Sequence, residues 1–138
     1  MSDSSKFDRE FLRSALSLAS KNDVDHFLYI SDVPIAPEDL RGRQCRRKLV
    51  YAVTDEKIAA DLIRKKEKAL VIPAYDYSRV ERMKVALVSA LSQGAFKEGD
   101  LVLCMTGKVG QAPDTQMHMR IGGSLDDKVA IEGIKLGE

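Results

Sequence analysis

Apolar runs too short to be helices recur along this chain, and the segments between them carry helical periodicity. The runs are His26-Phe27-Leu28-Tyr29-Ile30, Lys48-Leu49-Val50-Tyr51-Ala52-Val53, Ala69-Leu70-Val71-Ile72-Pro73 and Leu101-Val102-Leu103-Cys104-Met105. Their length and their β-branched and aromatic content read as strands. After the second run, Thr54 is placed to cap a helix reaching about Lys66. Asp55 and Glu56 fall in its first turn and Arg64, Lys65 and Lys66 in its last, the arrangement that suits a helix dipole. Val80, Met83, Leu87, Ala90 and Leu91 share one face of a longer helix that Gly94 ends. Strands alternating with helices at this spacing build βαβ units with right-handed crossovers. The expected fold is therefore α/β, a three-layer sandwich with a central, mostly parallel sheet. Leu70–Ile72 and Leu101–Met105 are continuous apolar runs, as expected of strands buried on both faces.

The remaining segments complete one domain spanning residues 1–138, a length that allows a real core. Residues 1–6 read as a polar tail. Phe11, Leu12, Ala15, Leu16 and Ala19 give helical spacing from Phe7 to Lys21, with Ser4 or Ser5 as cap. Asn22-Asp23 breaks that helix. A loop with Pro34 follows the first strand, and Pro37-Glu38-Asp39-Leu40 opens a short helix. Phe96-Lys97-Glu98-Gly99-Asp100 supplies a tight turn into the fourth strand, and Met117–Ile121 forms a fifth. In 123–138, Val129-Ala130-Ile131 reads as an edge strand, and Gly133–Glu138 as a tail or the start of a linker.

Composition removes several classes of function. The formal net charge is +1, so no bulk electrostatic case exists for nucleic acid or a membrane surface. Trp is absent and aromatics make up only 6%, which argues against base-stacking platforms. No apolar run approaches the roughly 18 residues of a membrane span. The polar start Met1–Lys6 has no apolar signal core. Cys45 and Cys104 form no spaced motif, which fits reduced thiols in the cytoplasm.

Candidate chemistry concentrates in the loops. Parallel strands bring the loops at their carboxyl ends to one sheet edge, where a small ligand is expected among Ser31, Asp32, Thr54, Thr106, Gly107, Lys108 and Gly110. Thr106–Gly110 lacks the GxxxxGK[ST] spacing of a phosphate loop and no helix follows it. Its glycines still let backbone amides approach an anion, with Lys108 adding charge; the plainer reading is a hairpin-like connection. Arg41, Arg43, Arg46, Arg47 and Lys48 form the densest basic run, and Arg43 or Arg46 could close over an anion. The competing reading is a solvated loop. Cys45 lies in this run with no base beside it. His26 and His118 have no Cys or carboxylate at ligand spacing, so no metal site or other cofactor is expected. Asp126 and Asp127 fit a turn, and no Ser-His-Asp or Cys-His arrangement can be named.

The order of elements, with Thr54 closing the second strand, resembles the C-terminal α/β domain of pyruvate kinase. The similarity is best from Arg79 to Ile121. It includes Arg79-Val80 opening the long helix, Gly94 to Asp100, Leu101 to Gly107, and the glycine loop Lys108–Pro113 leading into Thr115–Ile121. The topology match extends over most of residues 7–122. In that family the domain carries no catalytic residue, makes subunit contacts, and in many members binds a sugar-phosphate activator between a Thr/Ser-rich loop and the last glycine loop. The resemblance thus implies a pocket near Thr106, Gly107, Lys108 and Gly110. The hydroxyl-rich loop has no counterpart: Ser31-Asp32-Val33-Pro34 stands in its place, and Asp32 would repel a phosphate. The chain is also similar to the module fused ahead of the diadenylate cyclase domain in some prokaryotic proteins. The cyclase's Asp-Gly-Ala and Arg-His-Arg motifs are missing here.

Together these readings predict a non-catalytic regulatory or oligomerisation module. It would form homo-oligomers, sense a small anionic metabolite, and belong to a diadenylate cyclase-type protein. The alternative is a small enzyme or carrier acting on a phosphorylated metabolite.

Overall fold

The computed structural model describes residues 2–122, with side chains from Phe7 onward; the segments expected within 123–138 lie outside this range. The chain runs through helix α1 (Ser2–Ala19), strand β1 (His26–Ile30), the short helix α2 (Pro37–Leu40) and a 3-10 turn (Gln44–Lys48). Strand β2 (Leu49–Val53), helix α3 (Glu56–Arg64), strand β3 (Lys68–Val71), helix α4 (Arg79–Ser92), strand β4 (Leu101–Thr106) and strand β5 (Thr115–Arg120) follow. Among the described residues the strands form one sheet in the order β3-β2-β1-β4-β5. β1 pairs in parallel with both β2 and β4, and β2 with β3. β5 returns antiparallel to β4, Thr106 opposite Thr115 and Leu101 opposite Arg120. The α/β architecture expected of the alternating pattern is therefore present, with an antiparallel edge strand on an otherwise parallel sheet.

The apolar runs are continuous because each face of the sheet has its own helical cover. Leu28, Ile30, Val50, Ala52, Val102 and Cys104 share one core with Met83, Ala86, Leu87 and Ala90 of α4. Phe27, Tyr29, Leu49, Tyr51, Val53, Leu103 and Met105 share the other with Ala15, Leu16 and Ala19 of α1 and Ala59 and Leu62 of α3. Successive strand residues alternate between the two cores, as the period of a strand requires.

Three local expectations change. α1 begins at Ser2, so residues 2–6 are helical and Ser4 and Ser5 lie inside the helix instead of capping it. No Gly or Pro stands between Ser2 and Phe7, and extending a formed helix by a turn costs far less than starting one. β3 is not buried on both faces. Leu70 and Ile72 are buried, but Val71 is 40% exposed, because among the described residues β3 is the outermost strand, with a neighbour on one side only. Finally, the cap of α3 is Asp55, whose carboxylate accepts from the Lys57 N–H at 2.8 Å; the Thr54 hydroxyl is engaged elsewhere.

α3 ends in a Schellman motif closed by a residue other than glycine. The Lys66 N–H donates to the Ile63 carbonyl at 2.9 Å and the Glu67 N–H to the Leu62 carbonyl at 2.9 Å. This places Lys66 at φ +69°, where a Cβ is strained. Lys66→Gly is expected to raise stability by about 0.5–1 kcal/mol, the relief of strain exceeding the extra freedom of the unfolded glycine. The check is the urea midpoint; an unchanged or lower midpoint would show that the lysine carries no strain.

At the amino edge of the sheet a polar pin holds β1 and β4 in register. Asp100 accepts from the Lys97 N–H at 3.0 Å, and its other contact is His26 Nε2 at 2.8 Å. The His26 ring stacks on Phe96 with centroids 4.2 Å apart. The Asp25 carboxylate accepts from the Leu101 N–H at 2.8 Å. Gly99, at φ +91°, makes the turn that brings Asp100 into place.

Candidate functional site

The strand order locates the crevice. From β1 the chain steps outward to β2 and β3, then crosses back to place β4 on the other side of β1. The connections leaving β1 and β4 therefore diverge, and open sheets bind ligands where they part. A cleft of about 330 Å³ lies at that point. Its walls are largely apolar, with Leu12, Tyr29, Ile35 and Pro113 among them, and Ser31, Asp32, Arg82 and Gln111 supply polar groups.

Arg82 is the unusual member. It sits in the first turn of α4, is only 2% exposed, and donates from Nη1 to the Gly107 carbonyl at 3.0 Å. Its Nε is buried and has no hydrogen-bond partner among the described residues. Burial pulls the guanidinium below its ordinary pKa, and the nearby Asp32 carboxylate opposes that shift; arginine remains a cation regardless. The hydroxyl of Thr106, the residue before Gly107, is also buried and lacks a partner among the described residues.

Asp32 holds the first loop against the second. Its two carboxylate oxygens accept from the Thr54 N–H and the Thr54 hydroxyl, each at 2.6 Å. These short charge-assisted bonds turn the Thr54 hydroxyl, as a donor, toward Asp32. The Ser31 hydroxyl accepts from the Val33 N–H at 3.1 Å and shapes the same loop.

The opposite wall is the β4–β5 connection, so the hairpin reading of Thr106–Gly110 describes its backbone. The loop folds tightly on itself. A Cβ on Gly107 would meet the Ala112 carbonyl oxygen at 2.7 Å and Pro113 Cα at 3.0 Å, so only glycine fits without a backbone shift. Gly110, at φ +82°, lines the cleft, as do Gln111, Ala112 and Pro113. Arg79 Nε donates to Asp114 Oδ1 at 2.8 Å and fastens the loop to the start of α4. That pairing holds the Asp114 carboxyl below the usual range and the Arg79 guanidinium above it.

The structure brings together part of the expected set. Ser31, Asp32 and Gly110 line the cleft; Thr54 and Gly107 support it through Asp32 and Arg82. Lys108 is exposed and does not line it. Arg43 donates from Nε to the Asp39 carbonyl at 2.9 Å, and Arg46 pairs with Glu67 at 3.1 Å in a separate groove beside Tyr51. Arg82 was absent from the expectation, although its position carries a signal. It stands four residues before Ala86 and eight before Ala90, a charge on the apolar stripe of the helix.

Cys45 and Cys104 are both buried, and burial pushes the Cys104 thiol pKa up, away from a reactive thiolate. Among the described residues no group of three His, Cys, Asp or Glu side chains could hold a metal, and no helix is long and apolar enough to cross a membrane. Fold and cleft define a class, the open α/β proteins with a crevice at the reversal of strand order. No family model matches the chain, and none of the curated proteins searched matches it.

Proposed function

We propose that the chain is a non-catalytic regulatory or oligomerisation module of the pyruvate kinase C-terminal-domain kind, which senses a small anionic ligand in the β1/β4 cleft. The observation that carries this reading is Arg82: a buried cation beside a ligand-sized cleft, with a donor that no described group satisfies. Leaving such a donor unpaired is costly unless a partner arrives. The order of helices and strands, and a cleft between the first loop and the last glycine loop, agree with what the resemblance implies. In this reading the module works in the cytoplasm, attached to a diadenylate cyclase-type protein. Self-association is supported by β5, whose outer edge has no strand partner among the described residues.

Two measurements test the proposal together. Light scattering at tens of micromolar, a choice of order of magnitude that detects modest affinities, should give a mass above that of the monomer. Small phosphorylated and carboxylated metabolites should then be offered, following both thermal midpoint and chemical conversion. Binding that raises the midpoint without conversion is the expected result. Conversion abolished by Lys108→Ala would instead establish an enzyme acting on a phosphorylated metabolite.

A further inference from the structure

The cleft is chemically asymmetric in a way that narrows its ligand. One cation, Arg82, lies at its base, and one carboxylate, Asp32, lies in its first loop. Nη1 is committed to the Gly107 carbonyl, and the buried Nε has no acceptor among the described residues, so the guanidinium at the cleft wall is only partly satisfied. A carboxylate suits an arginine, because their planar forks match. Asp32 disfavours a second negative charge nearby. Its oxygens already accept from Thr54, yet an ionised carboxylate has about four acceptor sites, so room remains for a donor from a ligand.

The other basic side chains make a multiply charged ligand less suitable. Lys108 is not part of the cleft lining, Arg43 donates to the Asp39 carbonyl of α2, and Arg46 pairs with Glu67. A phosphate dianion would thus meet one cation and one opposing carboxylate. The walls are apolar, with Leu12, Tyr29, Ile35 and Pro113 facing the space. Its volume of about 330 Å³ compares with roughly 30 Å³ per water in the liquid, so it admits on the order of ten non-hydrogen atoms.

We infer that the cleft selects a small monocarboxylate carrying an adjacent hydrogen-bond donor and an apolar side chain, the pattern shared by α-amino and α-hydroxy acids. Arg82 receives the carboxylate, Asp32 receives the donor, and the apolar walls receive the side chain. This assignment rests on the proposed ligand-sensing role of the same cleft.

The test uses calorimetry and thermal shift on the 138-residue chain. Leucine and 2-hydroxy-4-methylpentanoate are the positive probes and separate the amino acid source from the hydroxy acid. 4-Methylpentanoate lacks the donor, leucinamide lacks the carboxylate, and glucose 6-phosphate and inorganic phosphate represent phosphate ligands. At least one positive probe should bind, and both truncated probes should bind roughly tenfold more weakly or worse, the scale of a lost charge-assisted contact. Arg82→Gln should abolish binding. Asp32→Asn keeps the shape but replaces the carboxylate with a weaker, neutral acceptor; it should shrink the advantage of leucine and of the hydroxy acid over 4-methylpentanoate. That loss of selectivity is independent of whether Arg82→Gln folds. Binding of glucose 6-phosphate but of no carboxylate would overturn this inference and leave the sensing role standing. Silence of every probe at millimolar concentration would overturn both.

Discussion

Truncating Phe27 to alanine is expected to remove about 3–5 kcal/mol of folding stability. Phe27 lies in β1, the central strand, and is fully buried. Its ring belongs to the core shared with α1 and α3 and meets Tyr29 edge-on at 6.1 Å. Removing it leaves a cavity between a sheet and a helix that are each pinned by other contacts, so the space cannot close cheaply. A domain of this size holds roughly 5–15 kcal/mol in all, and the variant should sit near the edge of folding. Urea unfolding followed by circular dichroism measures the loss, with Phe27→Leu as a milder control. A loss below about 1 kcal/mol would show that this core face is far more yielding than its burial indicates.

Asp32→Ala should cost about 2–4 kcal/mol, although Asp32 is an intermediate surface residue in a loop. The substitution strips Thr54 of the acceptor for both its N–H and its hydroxyl. It also removes the negative charge that offsets the buried guanidinium of Arg82, and an uncompensated buried charge is among the costly defects a fold can carry. Asp32→Asn, which preserves shape and one carbonyl acceptor, should lose less than half as much. Urea midpoints for the two variants provide the comparison. Equal stability of Asp32→Ala and the wild type would remove Asp32 from its assigned role as the tie between the first two loops.

The strand–helix alternation was legible because it is a property of each segment alone. His26–Ile30 and Pro37–Leu40 emerge with the expected bounds, the start of α1 moves five residues earlier, and the other ends shift by a residue or two. Contacts between segments were harder to read. Thr54 has every local mark of a helix cap, yet a carboxylate that precedes it by 22 residues takes its hydroxyl, and Asp55 caps in its place. Lys108 and the run from Arg41 to Lys48 are conspicuous as charges, but a charge in a loop usually turns to water or to a neighbour. Arg82 was inconspicuous for the opposite reason. Helix α4 carries several charged residues, and only its register against the sheet turns this one inward.

The antiparallel return of β5 gives the molecule two poles. The Ile121 N–H donates to the Asp100 carbonyl, so the described chain comes back to the edge where β1 and β4 begin, opposite the cleft. Between the poles runs β4, six residues or about 20 Å of strand. The sheet therefore links the cleft to that edge directly, from the Gly107 carbonyl at one end to the His26–Asp100 pin at the other. A close-packed sheet suits such a relay, because its interior passes on small displacements instead of absorbing them.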